Sequence, residues 1–155
     1  MCSSDLRFFH FMGASNVSGL ALLTAGSATY SSVAGFTKPI NEVGQVGGTV
    51  NSLNVSVIFG ANPRITAYNL GLTDAGGRNW TAALTGTQLL TDFAPGGSSG
   101  NNLSATCTGC AGLSPITGAG KARGYVIGGA NRDALLSSYG LSAGSATVTG
   151  SVVVK

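Results

Sequence analysis

Residues 49–59 read Thr49-Val50-Asn51-Ser52-Leu53-Asn54-Val55-Ser56-Val57-Ile58-Phe59, and this stretch decides the fold class. Apolar Leu53, Val55, Val57 and Phe59 alternate with polar Ser52, Asn54 and Ser56. Successive side chains of a strand point to opposite faces, so the run describes a sheet with one dry face and one wet face. The pattern returns downstream. Trp80, Ala82 and Leu84 alternate with Asn79, Thr81 and Thr85, and Val148, Val152 and Val154 alternate with Thr147, Thr149 and Ser151.

The segments around this strand complete a meander. Gly60-Ala61-Asn62-Pro63 is a turn, in which Pro63 fixes the backbone and biases Asn62 to extended geometry. Residues 64–73 return with Tyr68, Leu70 and Leu72 on one face. Asp74-Ala75-Gly76-Gly77 has hairpin composition, so residues 78–87 pair back. Further strands are predicted over residues 8–12, 27–33, 102–107, 116–127 and 146–154. Residues 88–93 read as a strand or an edge, and 135–141 as strand or loop. Loops are predicted at 37–48 and 95–101, with one helical turn after Asn131. Gly118, Gly120, Ala122, Gly124 and Gly128 form a small-residue face, which lets a neighbour approach closely or a barrel wall bend.

An antiparallel set of this size has to protect its edges, and closure into a barrel does so fully. The sequence therefore predicts an all-β fold: an antiparallel, about eight-stranded up-and-down barrel, whole or cut short at its N-terminus, with one short helical turn. Such a barrel is filled by side chains or holds one small ligand. A secreted structural or adhesin-like β-sandwich is the alternative.

Composition narrows the function classes. The 155 residues suit one domain with a real core, expected over residues 7–155. Only 8% of residues are charged while 43% are apolar, so the surface has to be polar through Ser, Thr, Asn and Gly. The formal charge of +3 comes from scattered residues. Lys121 and Arg123 alone share a strand face and there is no basic run, which argues against a nucleic-acid partner. No stretch reaches the roughly 18–20 apolar residues of a membrane helix. Several expected strands fall short of the roughly 9–11 residues of a membrane-spanning barrel, and aromatic girdles are missing. The chain is thus expected not to be a transmembrane protein itself. Cys2-Ser3-Ser4-Asp5-Leu6 resembles a translated sequencing-adapter oligonucleotide, so residues 1–6 are expected to be a non-native leader. A lipid-anchored Cys2 is the other reading.

Cys107-Thr108-Gly109-Cys110 is a C-x-x-C pair. A redox motif opens a helix beside a βαβ unit, and here Ser, Thr, Gly and Pro surround the pair. A zinc site wants four ligands, and only His10 and Cys2 remain to complete one. A short disulfide between Cys107 and Cys110 fits best, with free thiols and a metal or redox pair as alternatives. A disulfide favours an oxidising compartment, and its tiny loop limits the stabilisation.

Catalytic equipment is scarce. The acids Glu42, Asp74, Asp92 and Asp133 each lie in or beside a predicted turn, where Asp often serves backbone geometry. No two form a local pair, His10 is the sole histidine, and no G-x-S-x-G elbow exists. The glycine-rich runs 96–100 and 118–129 lack the Walker lysine and a βαβ setting. Asn16, Asn54, Asn79 and Asn102 head glycosylation sequons, a cheap match in so Asn/Ser/Thr-rich a chain. Trp80 and the tyrosines could stack on a sugar or grip a protein, but apolar alternation around Trp80 favours the core. A hydrolase on a β-scaffold is the remaining enzymatic reading. No catalytic residue, metal or cofactor is expected.

The order of segments carries a resemblance. Phe9-His10-Phe11-Met12-Gly13 precedes Gly26-Ser27-Ala28-Thr29-Tyr30, then come the 49–59 strand and the cysteine pair. After these, residues 118–129 lead into Ala130-Asn131-Arg132-Asp133-Ala134-Leu135. This arrangement over residues 8–155 resembles the C-terminal β-barrel of transferrin-binding-protein-B-like surface lipoproteins. It is similar also to the barrel appended to iron-dicitrate-sensor (FecR-type) envelope proteins. Tyr125-Val126-Ile127 stands where a Phe-rich pair is usual, and 135–139 match loosely. The resemblance implies an eight-stranded barrel in the Gram-negative envelope, in the periplasm or on the outer-membrane surface. It implies a non-catalytic module supporting an unknown protein or small ligand. It does not imply transferrin capture, which depends on lobes and loops outside this segment.

Overall fold

A computed structural model of the protein describes residues 25–97, 102–112, 114–127 and 133–155. The expected strand at 8–12, the helical turn after Asn131, and the readings of His10, Cys2, Asn16 and residues 1–6 lie outside the described residues. The strands are β1 (Gly26–Tyr30), β2 (Val33–Phe36), β3 (Ile40–Asn41), β4 (Gly48–Phe59), β5 (Arg64–Asp74), β6 (Asn79–Leu84), β7 (Gln88–Leu89), β8 (Leu103–Ala111), β9 (Ser114–Ile127), β10 (Ala134–Ala143) and β11 (Ala146–Val154), and α1 covers Leu90–Phe93.

All described strands belong to one antiparallel sheet, so the two packed layers of a sandwich are not formed. Its order is β1-β4-β5-β6-β8-β9-β10-β11-β2, with β3 beside β11 and β7 beside β5. The β4-β5-β6 meander is present with Leu53 opposite Leu70 and Leu70 opposite Ala82. The first and last strands of that order, β1 and β2, are consecutive in the chain. The sheet curls until one segment serves both its ends: Tyr30 pairs with Val55 of β4, and Val33 with Val154 of β11. At the junction Ser31 and Ser32 donate to the carbonyl of Lys155 at 3.0 and 2.9 Å, and the Lys155 amide donates to Ser32. Counting β1 and β2 as one stave, the wall has about eight positions, as the sequence predicts.

Alternation sorts the side chains as expected. Val55, Val57, Ile65, Tyr68, Trp80, Cys107, Leu135, Val148 and Val152 are buried in one core within the curl. The strand-spaced polar residues Ser52, Thr81, Ser104 and Thr147 are exposed on the outside. This apolar-in, polar-out arrangement is the reverse of a lipid-facing barrel. No helix among the described residues is long and apolar enough to cross a membrane. At the same time β4, β5, β9 and β10, with 12, 11, 14 and 10 residues, are as long as membrane strands; of these, β10 alone reads as shorter in the sequence, at 135–141.

The small residues of β9 turn a corner in the wall. A side-chain carbon at Gly118 would stand 1.8 Å from the Ser142 carbonyl oxygen, and one at Gly124 would stand 2.0 Å from that of Leu136. The β10 backbone therefore leans over the inner face of β9, and β8 and β10 approach one another across it. The segment 88–93, read as strand or edge, divides. Gln88 and Leu89 pair with β5, and the next four residues form α1, whose Phe93 packs inside near Tyr68 and Gly124.

Candidate binding surface

One end of the curl is fastened by ionic contacts. Asp74 ends β5 and is buried; its Oδ1 accepts from the amides of Gly76 and Arg78, which fixes the hairpin. Its Oδ2 accepts from Arg78 Nε at 2.7 Å and Trp80 Nε1 at 3.0 Å. Arg78 then grips Glu42 in a bidentate pair at 2.7 and 2.8 Å, and Glu42 Oε2 accepts the Thr147 amide. The Arg78 guanidinium holds the Glu42 carboxyl down at about 2, while Glu42 pushes Arg78 further up. These carboxylates join β5, β6, the segment before β4 and the β10–β11 hairpin. They are bound to donors rather than presented to a ligand.

The cysteine pair lies at the same end. Cys107 and Cys110 form a disulfide with a Cα–Cα distance of 5.8 Å. The β8–β9 register shifts after Cys107, and Gly109 takes a φ of +89° that favours glycine. The disulfide pinches a bulge in β8, and Gly109 sits over Arg78.

The opposite end holds the other two acids. Asp92 lies in α1 and Asp133 just before β10, far along the wall from Glu42 and Asp74. Arg123 anchors the α1 region by donating to the carbonyls of Asp92 and Gly97. Lys121 shares the outer face of β9 with it, as the sequence predicts. The structure thus joins Glu42 and Asp74 through Arg78 and leaves Asp92 and Asp133 at the other end, so the four acids do not share one reacting site. No cluster of three His, Cys, Asp or Glu residues fit for a metal exists among the described residues.

The aromatic residues divide as the alternation suggests. Trp80, Tyr30, Tyr68 and Tyr139 are buried, and Tyr125 is exposed. Inside, the Tyr68 hydroxyl and Ser137 share a hydrogen bond at 3.0 Å, and Ser137 also donates to the Arg123 carbonyl. The Tyr139 hydroxyl is buried with no partner among the described residues. Burial pushes both phenols well above their usual range. The sequon residue Asn102 is buried and committed: its side chain bonds Gln88 and both backbone polar groups of Ala122.

What remains open lies on the outer wall. The β4–β5–β6–β8 register aligns two polar rungs: Ser52, Gly71, Thr81 and Thr106 on one, Asn54, Asn69, Ala83 and Ser104 on the other. A depression of about 350 Å³ lies across them. Its relief has a local cause. Asn51 is bulged out between Val50 and Ser52, and Gly71 carries no side chain where one would come within 2.8 Å of Ser52 Oγ. Hydroxyls and amides line this depression with no ionisable residue among them. They can donate to and accept from a neutral polar ligand, but nothing there activates a nucleophile.

The sequence names Ser52, Asn54 and Thr81 only as the wet half of the alternation. That they align across strands follows from register, which a bulge at Asn51 shifts and composition does not reveal. The Asp74–Arg78 half of the ionic fastening has a local signal, two opposite charges flanking a hairpin turn; Glu42, 36 residues from Arg78, has none. No family model matches the chain, and neither the curated proteins nor the solved structures contain a match to it.

Proposed function

We propose that the chain is a non-catalytic β-barrel module of the Gram-negative cell envelope that supports binding of a protein or small ligand through its outer wall. The observation that carries this reading is the division of polar groups. Apolar side chains of the described residues pack into one core, Glu42 and Asp74 are spent on fastening the staves, and an open polar relief is the uncharged depression between β4 and β8. Its volume lies at the lower end of the range for small-ligand sites. The envelope setting rests on the family resemblance and on the Cys107–Cys110 disulfide, which favours an oxidising compartment. The reading includes no cofactor, no nucleic acid and no passage through the membrane.

Site-specific photocrosslinking in the native host tests it. A crosslinker at Thr81 is expected to give a discrete adduct in the periplasmic or outer-membrane fraction, and one at Val43, on the loop before β4, is not. Cytosolic recovery of the protein with both thiols free would remove the envelope setting. Adducts of equal yield at both positions would remove the binding surface.

A further inference from the structure

The outer wall is not polar throughout. At the α1 end the register places apolar side chains in two patches on the outside, parted at β1 and β2 by Ser27, opposite Ile58, and Gly35, opposite Val153. On β9, β10 and β11, Tyr125 stands opposite Leu136 and Leu136 opposite Val153. On β4, β5 and β7, Ile58 stands opposite Arg64 and Arg64 opposite Leu89. All these positions point outward, since their chain neighbours Val57, Gly124, Leu135 and Val152 are buried. Ile58, Leu89 and Tyr125 are 46%, 45% and 45% exposed, and they are among the few large apolar residues left open to solvent. The next outward position toward the other end is polar in both patches, with Ser56 on β4 and Ser138 on β10. On these strands the apolar character is confined to the α1 end and is not a band along the wall; Val43 and Val46, exposed at the other end, lie on the loop before β4 and not on a strand.

Charge follows the same axis. The fastened end carries Glu42 and Asp74 against Arg78. The α1 end carries Arg64, Arg123 and Lys155 against Asp92 and Asp133, and Arg64 sits within one of the patches, between Ile58 and Leu89. An exposed aromatic with a polar tip, aliphatic side chains beside it and cations on long stems is the chemistry of the water–lipid boundary. We propose that this end of the barrel docks on an anionic phospholipid surface. The patches enter the headgroup layer and Arg64 and Lys155 meet lipid phosphates. Patches one or two residues deep suit shallow docking and not a crossing, which needs a lipid-facing band about 25 Å tall. The proposal stands apart from the Thr81 depression, which lies farther along the wall.

Flotation of the full chain with phosphatidylcholine vesicles, with and without phosphatidylglycerol, tests it. The protein is expected to float with the anionic vesicles and to be released by high salt. Replacing Ile58, Leu89 and Tyr125 together by Ser is expected to weaken the partition roughly a hundredfold. Arg64→Gln is expected to weaken it roughly fivefold, and only on anionic vesicles. These side chains lie outside the core, and an unchanged melting transition shows that the variants fold; Ile58→Leu, which keeps the apolar surface, is expected to bind as the parent does. Failure to float with either vesicle overturns the proposal, as does binding indifferent to the triple replacement. A self-associating parent that the triple replacement turns into a monomer also overturns it, by making a second copy the occupant.

Discussion

Removing the hydroxyl of Tyr139 is expected to stabilise the protein. The Tyr139 ring lies across the β10–β11 pair over Gly150, where a side-chain carbon would come within 2.3 Å of the phenolic oxygen. The side chain is 3% exposed and its hydroxyl has no hydrogen-bond partner among the described residues. A buried hydroxyl left unpaired costs about 1–3 kcal/mol, the free energy of its lost hydration. Tyr139→Phe keeps the ring and deletes that penalty, less a small loss for the void left behind. A gain of about 1–2 kcal/mol raises the melting temperature by roughly 2–8 °C in a domain of this size. Tyr68→Phe is the matched control. It removes the same atom from the same core, but Tyr68 bonds Ser137, so its deletion is expected to destabilise by about 1 kcal/mol. Urea unfolding of the three proteins at neutral pH, read by tryptophan fluorescence from the buried Trp80, measures both changes. Opposite signs are expected. Destabilisation of Tyr139→Phe by 1 kcal/mol or more would refute the reasoning, because it would mean that the hydroxyl is bonded in the folded protein.

Other outcomes follow from the fastenings of the wall. The Glu42 carboxyl is held at about 2, below its ordinary value of 4.5, so its contribution is present above that ordinary value and is lost as pH falls toward 2. Its partly exposed setting limits the effect to ~1 kcal/mol, and Glu42→Gln is expected to flatten that part of the stability–pH curve. Reducing Cys107–Cys110 is expected to lower stability by at most about 2 kcal/mol, since it opens so short a loop, with the far-ultraviolet dichroism unchanged. Gly124→Ala is expected to cost ~3 kcal/mol or to prevent folding, because the added carbon meets the Leu136 carbonyl and the Phe93 ring. Gly35→Ala, with nothing within 4 Å of the added carbon, is expected to stay within about 0.5 kcal/mol of the parent.

The strand pattern was the legible part of this chain, for reasons that particular residues make plain. Leu53 to Phe59 and Trp80 to Leu84 carry a period of two that no helix can use, and Gly and Pro punctuate them, so the meander follows from local chemistry. The small-residue face of β9 announced a bend before its partner was known. The division of residues 26–36 into two strands serving opposite ends of the sheet was not legible, because Ser31-Ser32 has nothing that marks a parting. The four-residue helix at Leu90 was equally hidden: Leu90 and Phe93 are buried by the tertiary structure, and the segment is too short for periodicity to register. The candidate surface lies between these cases. Its residue types can be read off the alternation, but its alignment is a property of register.

The bond of Ser31 and Ser32 to Lys155 also dictates when the ring can shut. Ser31 and Ser32 wait for a residue more than a hundred positions later, so the seam cannot zip during synthesis until position 155 has been made. Until then β2 and the growing β11 each offer a bare row of amides and carbonyls to whatever is near, including a sister chain. Breaking the pairing of Val152–Lys155 with β2 would leave much of the core in place yet reopen those rows, trading a self-contained ring for a sticky ribbon.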